Sequence, residues 1–240
     1  MPRGLPDYYN PDTVVMQRMV DLHALLTGII GIYPIDGAGF MIYADNFNNT
    51  LSGWNILTAG DAAAPAVETG RAQIPPSSIV LDAGTVGGLG TNQIRRYFPA
   101  LETGRVGFQI GFCFGADDIA LSIVVYYQED GTLYQGRLRI DNDGTIIIRE
   151  SDGGYAVFGS LSSKMGDGYW HNVKLVIDLE NDRYHKLIIG DTEWSLVAYD
   201  LYGSAVADDD YLAFIIEVNG KDNNDPKAYI GHALLTVDEP

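Results

Sequence analysis

The stretch GYWHNVKLVIDLENDRYHKLIIGDTEWSL, residues 168–196, decides the fold. Residues 172–178 alternate: Val173, Leu175 and Ile177 point one way, and Asn172, Lys174, Val176 and Asp178 point the other. A period of two predicts a strand with one buried face. Glu180-Asn181-Asp182 is turn chemistry, because short polar side chains bond their own backbone and tolerate left-handed dihedrals. The chain then returns through residues 185–189, turns at Gly190-Asp191 and leaves through Glu193, Trp194, Ser195 and Leu196. Trp170, directly ahead of the best alternating strand, is expected to be buried beside it.

Upstream, residues 105–114 place Val106, Phe108, Ile110, Phe112 and Phe114 on one face. Gly107, Gly111 and Cys113 lie on the other, where small residues admit a close second layer. Residues 120–128 form a continuous apolar run, which predicts burial on both faces. Residues 136–140 and 145–149 flank Asp141-Asn142-Asp143-Gly144 as a hairpin, and residues 212–218 give a late core strand. Many strands at short spacing, separated by turn signals, predict two packed antiparallel sheets.

On Trp170, Val173, Leu175, Ile177, Asp178, Leu187, Ile189, Gly190 and Asp191 the chain resembles the laminin-G-like branch of the concanavalin A-like jelly roll. Residues 45–54 (DNFNNTLSGW) are similar to the first strand of such domains, and residues 228–237 (AYIGHALLTV) to the closing strand that pairs near it. The resemblance implies an all-β, antiparallel two-sheet jelly-roll sandwich over residues 45–240. Residues 1–44 then form an N-terminal arm, one α-helix and a connector. This fold serves lectins, hydrolases and structural proteins alike, so it does not by itself choose among them.

Composition sets bounds. The 240 residues carry 15 Lys and Arg against 32 Asp and Glu, a net charge of −17. Such a surface repels phosphate backbones, which argues against a nucleic-acid partner. The acidity is read as a solvated surface, with divalent-cation sites as the functional alternative. The single cysteine, Cys113, sits between Phe112 and Phe114 and is expected to be a buried small hydrophobe. Residues 1–12 (MPRGLPDYYNPD) lack the apolar core of a signal peptide, and no apolar run reaches the roughly 20 residues that span a bilayer. The expectation is therefore synthesis in the host cytoplasm, with no membrane partner.

The leader has its own logic. Pro2, Gly4 and Pro6 oppose regular structure, and Tyr8 and Tyr9 offer adhesive aromatic area. Asn10, Pro11 and Asp12 are helix-start signals, and Gly28 is a stop. Between them Val15, Met19, Leu22 and Leu26 recur at spacings of four, three and four, a heptad seam. Two readings stay open: the helix packs on its own sandwich, or it packs on sister copies and a larger assembly. The leader is also similar, more weakly, to that of jelly-roll proteins of tailed bacteriophages.

No catalytic constellation is legible. A glucanase of this fold class needs a Glu-x-Asp-x-Glu ladder that sets two carboxylates on one face, about 5 Å apart in a retaining enzyme. The nearest approach is residues 176–180, where Val176 stands in the first carboxylate position and Glu180 falls in the turn. His23, His171, His185 and His232 lie in unrelated contexts, with no Gly-x-Ser-x-Gly elbow and no zinc spacing. Oxygen-rich loops at residues 117–118, 208–210 and 219–225 are read as surface turns, with calcium the alternative. Arg95-Arg96-Tyr97-Phe98, a local basic cluster, is read as an ion-paired face. Sugar binding would use exposed aromatics, for which Tyr126, Tyr127, Tyr134, Tyr155 and Trp194 qualify by lying near strand ends.

These observations lead to a non-catalytic structural protein of a virus particle, a bacteriophage capsid decoration, fibre or tail component. It would assemble through Tyr8, Tyr9, Val15, Met19, Leu22 and Leu26, by self-association or with other virion proteins, and without a cofactor. The alternative is a carbohydrate-binding or adhesion module for a cell-surface glycan. A third reading is a glycan hydrolase with an unfamiliar site.

Overall fold

In the computed structural model, residues 38–47, 51–73, 77–84, 90–101, 104–115, 119–161, 165, 168–207, 210–220 and 226–240 are described. The expected arm with Tyr8 and Tyr9 and the expected helix with Val15, Met19, Leu22 and Leu26 lie outside them. Two antiparallel sheets, each of eight strands among the described residues, pack face to face.

The first sheet contains β1 (Phe40–Asp45), β3 (Ala66–Glu68), β4 (Ser78–Asp82), β6 (Arg105–Phe114), β11 (His171–Asp178), β12 (Arg183–Ile189), β13 (Thr192–Ser195) and β16 (Lys227–Val237). Its order is β13-β12-β11-β6-β16-β4-β3, with β1 also on β16. The second contains β2 (Asn55–Ala59), β5 (Thr91–Pro99), β7 (Ile119–Glu129), β8 (Thr132–Asp141), β9 (Thr145–Arg149), β10 (Tyr155–Ser160), β14 (Tyr202–Ala205) and β15 (Tyr211–Gly220). Its order is β10-β9-β8-β7-β15-β5-β2, with β14 on β8.

The stretch at 168–196 folds as its pattern requires. β11 and β12 pair antiparallel, and Leu175 faces Leu187 across the hairpin. Asp178 caps the turn, accepting from the Asn181 backbone N–H at 3.1 Å and from its side chain at 2.9 Å. Asp182 takes a positive φ of 51°, which a short polar residue tolerates. Val173, Leu175 and Ile177 enter the core between the sheets, where they meet the inward row of β6.

One expectation for this strand is corrected. β11 is buried on both faces, since Lys174 and Val176 on its outer side are as enclosed as its core residues. The cause is local. β11 is an interior strand flanked by β6 and β12, and Lys174 and Val176 sit opposite Gln109 and Gly107 of β6. The Lys174 ammonium is satisfied there by Glu239 and by the Ala38 carbonyl. A charge is buried because it is paired.

Three further differences concern boundaries and aromatic anchors. The first strand is Phe40–Asp45, so residues 40–44, read as connector, pair with β16. Beyond Asp45, the described residues 46–47 and 51–54 lie outside any strand. The Asp45 carboxylate accepts from the Phe47 backbone at 2.7 Å and the Trp54 indole at 2.9 Å, and Phe47 has a φ of 53°. Trp170 is half-buried, its ring lying over Gly231, whose added Cβ would stand 3.0 Å from Cζ3. Trp54 is the enclosed tryptophan, tilted against Phe47 and Phe214 in the core. Cys113 is buried as expected.

Candidate functional site

The inward side chains of the second sheet, among them Ile94, Leu121, Ile123, Leu138, Ile146, Phe214 and Ile216, fill the core. Alternation then fixes what faces outward. Strand register builds a row across the outer surface: Gln93 on β5 opposes Glu217 on β15, which opposes Ser122 on β7, then Arg139 on β8 and Ile147 on β9. Two residues along, Arg95, Ile215, Val124 and Arg137 make a second row, and Tyr97, Ala213, Tyr126, Gln135 and Tyr202 a third. A cleft of about 630 Å³ opens on this face, lined by Ser122, Arg137, Arg139, Ile147, Tyr155 and Asn219.

Every charge in the cleft is held. Glu217 accepts from Arg137, from Asn219 Nδ2 at 2.8 Å and from Gln93 Nε2 at 3.3 Å. Arg139 grips Asp141 through Nε at 2.7 Å and Nη2 at 3.4 Å. Arg149 bonds Gln135 and stacks its guanidinium 4.0 Å from the Tyr202 ring centre. Arg95 bonds the Tyr97 hydroxyl at 2.9 Å and lies over the Tyr126 ring at 5.5 Å. Three buried polar atoms on this face have no partner: Ser122 Oγ, Arg95 Nε and Arg149 Nε. Unmade hydrogen bonds of this kind cost stability, so a ligand that makes them gains from them.

The sequence reading located part of this face. Tyr126 and Tyr155 stand on it, and Tyr155 is 54% exposed at the cleft wall. Tyr127 is instead a core residue bonded to Glu129, Tyr134 stacks on it at 6.0 Å, and Trp194 packs against Phe158. Burial pushes the Tyr127 hydroxyl well above its ordinary range, and the Glu129 carboxylate adds to the effect. Among the described residues Arg95 and Arg96 do not form the ion-paired face expected of them. Alternation sends Arg95 to the cleft surface and Arg96 to the Tyr43 ring, 5.0 Å away. Tyr97, Tyr202 and Tyr211 were missed, although Gln93, Arg95 and Tyr97 at a spacing of two already shared one face in the sequence.

Asp178 and Glu180 line a separate cleft of about 340 Å³ with Asn181 and Asp238. Burial pushes the Asp178 carboxyl up, but the Asn181 hydrogen bonds and Arg105 outweigh it and leave it below the usual carboxylate range. Its bonds are those of a turn cap. Among the described residues no group of three or more His, Cys, Asp and Glu is placed to hold a metal ion. Residues 117–118, 208–209 and 221–225, with most of the oxygen-rich loop positions, lie outside the described residues. No helix among the described residues is long and apolar enough to cross a membrane.

The architecture is the concanavalin A-like jelly roll of glucanases and lectins. The chain is similar to the GH16 protein of the Bacteroides ovatus mixed linkage glucan PUL, with a TM-score of 0.53, 10% identity, and 81% of this chain and 100% of that one covered. It is similar to a carbohydrate esterase of the Shiga toxin-encoding bacteriophage phi24B, with a TM-score of 0.53, 11% identity, and 83% and 99% covered. It also resembles the carbohydrate recognition domain of Emp46p, with a TM-score of 0.50, 10% identity, and 87% and 100% covered. At these identities the likeness establishes the fold. No protein-family model matches the chain, and no curated protein matches it by sequence.

Proposed function

We propose that the protein is a non-catalytic glycan-binding component of a virus particle, with the cleft over β7, β8 and β15 as its binding face. The observation that carries the reading is the outer surface of the second sheet. Exposed Tyr97 and Tyr155 flank a row of arginines and amides with unpaired donors between them. Aromatic faces stack on pyranose rings, and convergent polar groups fix their hydroxyls.

The same face supports binding over hydrolysis. Two-carboxylate glycosidases set acid and nucleophile about 5 Å apart. Glu217 has Ile215 and Asn219 at the same-face positions of its own strand, and Gln93 and Ser122 beside it. Asp141, two strands away, is chelated by Arg139. The residues ahead of β1, with the apolar seam at Val15, Met19, Leu22 and Leu26, serve in this reading as the attachment segment to sister copies or virion neighbours.

A glycan array tests the binding face. The intact protein should bind a defined set of glycans, and Tyr155→Ala, at an exposed position, should lose them with unfolding unchanged. Equal binding by the variant would remove the cleft from the reading. Co-purification with particles tests the location: a protein absent from purified particles of its source phage would leave a free lectin.

A further inference from the structure

The cleft carries an unusual charge for this molecule. Net charge over the chain is −17, yet the outward strand positions of the second sheet hold Arg95, Arg137, Arg139 and Arg149 against only Glu217 and Asp141. In an acidic protein, arginines gathered on one face call for a reason beyond solubility. Glu217 and Asp141 are themselves spent on Arg137 and Arg139, so they orient the guanidinium groups across the cleft floor. Each guanidinium has five N–H donors, and these pairings engage only part of each fork. Ser122 lies between them, cross-strand from both Glu217 and Arg139, and its buried hydroxyl has no partner.

From this we infer that the cleft takes an acidic saccharide, a sugar bearing a carboxylate of the uronic or sialic type. The inference rests on the glycan-binding reading above. Planar guanidinium forks match a carboxylate in bidentate geometry, which a neutral hydroxyl does not supply. Tyr155, exposed at the wall beside Ile147, gives the sugar ring a stacking surface while its carboxylate meets Arg139 and Ser122. The acidic remainder of the surface does not oppose this, because exposed charges are screened over about 8 Å at physiological salt. A long polyanion such as nucleic acid runs beyond the cleft and meets the repulsive surface, whereas one or two sugar units do not.

The test uses the full chain and four polymers. Polygalacturonate carries the carboxylate, and highly methyl-esterified homogalacturonan keeps the same backbone with the charge removed. Heparin supplies sulfate alongside carboxylate, and dextran sulfate supplies sulfate alone. Affinity electrophoresis or calorimetry should show polygalacturonate bound at least tenfold more tightly than the ester. Arg139→Gln should lose about tenfold on the acid and little on the ester. Tyr155→Glu, at an exposed site that folding does not depend on, should abolish acid binding, and Tyr155→Phe should keep it. If Arg139→Gln unfolds, the Tyr155 pair decides alone. Equal affinity for acid and ester overturns the acidic preference and leaves glycan binding standing. Dextran sulfate bound as well as polygalacturonate overturns the carboxylate assignment. Binding to none of these and to no neutral glycan on the array removes the glycan-binding reading, and this inference with it.

Discussion

Lys174 Nζ stands 2.7 Å from Glu239 Oε1, and neither side chain reaches solvent. This pair ties the middle of β11 to the second-last residue of the chain. Thr236 donates to the same carboxylate, and the Ala38 carbonyl accepts from the ammonium at 3.2 Å, so both ends of the described sandwich meet at one charge. Gly107 makes the room. A Cβ there would lie 2.5 Å from Thr236 Oγ1, 2.7 Å from Glu239 Oε1 and 2.8 Å from Lys174 Cε.

Removing one partner leaves the other charge buried and uncompensated. Glu239→Ala should therefore cost roughly 3–5 kcal/mol in denaturant unfolding. Replacing both together, Lys174→Met with Glu239→Leu, should recover most of that loss, because an apolar pair of similar volume needs no desolvation. A loss below about 1 kcal/mol for Glu239→Ala would mean that water reaches the ammonium.

His232 sets a pH dependence. It is buried in the outer side of the first sheet, bonded to Gln109 at 3.2 Å and to Gln73 Oε1 at 3.0 Å, and burial lowers its pKa to about 4. The unfolded chain takes up this proton near the ordinary value of about 6.5. Between the two values the unfolded state binds more protons, so stability falls as pH drops from about 6.5 towards 4 and this contribution levels off below. The total is on the order of 3 kcal/mol. Comparing thermal unfolding of the wild type and His232→Gln across that window isolates it from the carboxylates. Parallel curves would show that the ring does not titrate differently on folding.

The fold was legible because its signals are local. Alternation in residues 172–178 and 105–114, and turn chemistry at Asp182 and Gly190, specify strands and hairpins without knowledge of the partner. The outer burial of Lys174 and Val176 was not legible, since it depends on which strands flank β11 and on a carboxylate 65 residues away in sequence (174 to 239). The cleft was half legible for the same reason. Tyr126 and Tyr155 could be nominated singly, but the row joining Gln93, Glu217, Ser122 and Arg139 comes from four strands distant in sequence. Register, not composition, makes the site.

Glycan turnover gives a third test. With Ile215 and Asn219 beside Glu217 on its strand, the intact protein should release no reducing ends from mixed-linkage β-glucan. Glu217→Gln should lower stability, because it weakens the charge-assisted bond from Arg137. Release of reducing ends by the wild type, abolished by Glu217→Gln, would overturn the non-catalytic reading and make Glu217 a catalytic carboxylate.

The leader supplies the last prediction, and the one that bears most directly on assembly. The spacing of Val15, Met19, Leu22 and Leu26, between good start and stop signals, predicts a helix with an apolar seam. Burying each such side chain is worth about 1.5–3 kcal/mol, so a soluble chain does not leave the seam open to water. Among the described residues the core between the sheets is filled by the strands themselves, and the attachment reading gives the seam another surface. Under the attachment reading, Met19→Glu with Leu22→Glu should abolish oligomerisation or particle incorporation and leave the β circular dichroism unchanged. The outer side of the first sheet is the competing location, since Val176, Ile188 and Leu234 are enclosed there and Ala38, where the described chain begins, sits beside Lys174 on that face. If the double variant loses its β signal and melts early, the seam belongs on that sheet and the attachment reading falls. If it assembles and melts like the wild type, the seam is neither an interface nor a layer of the fold.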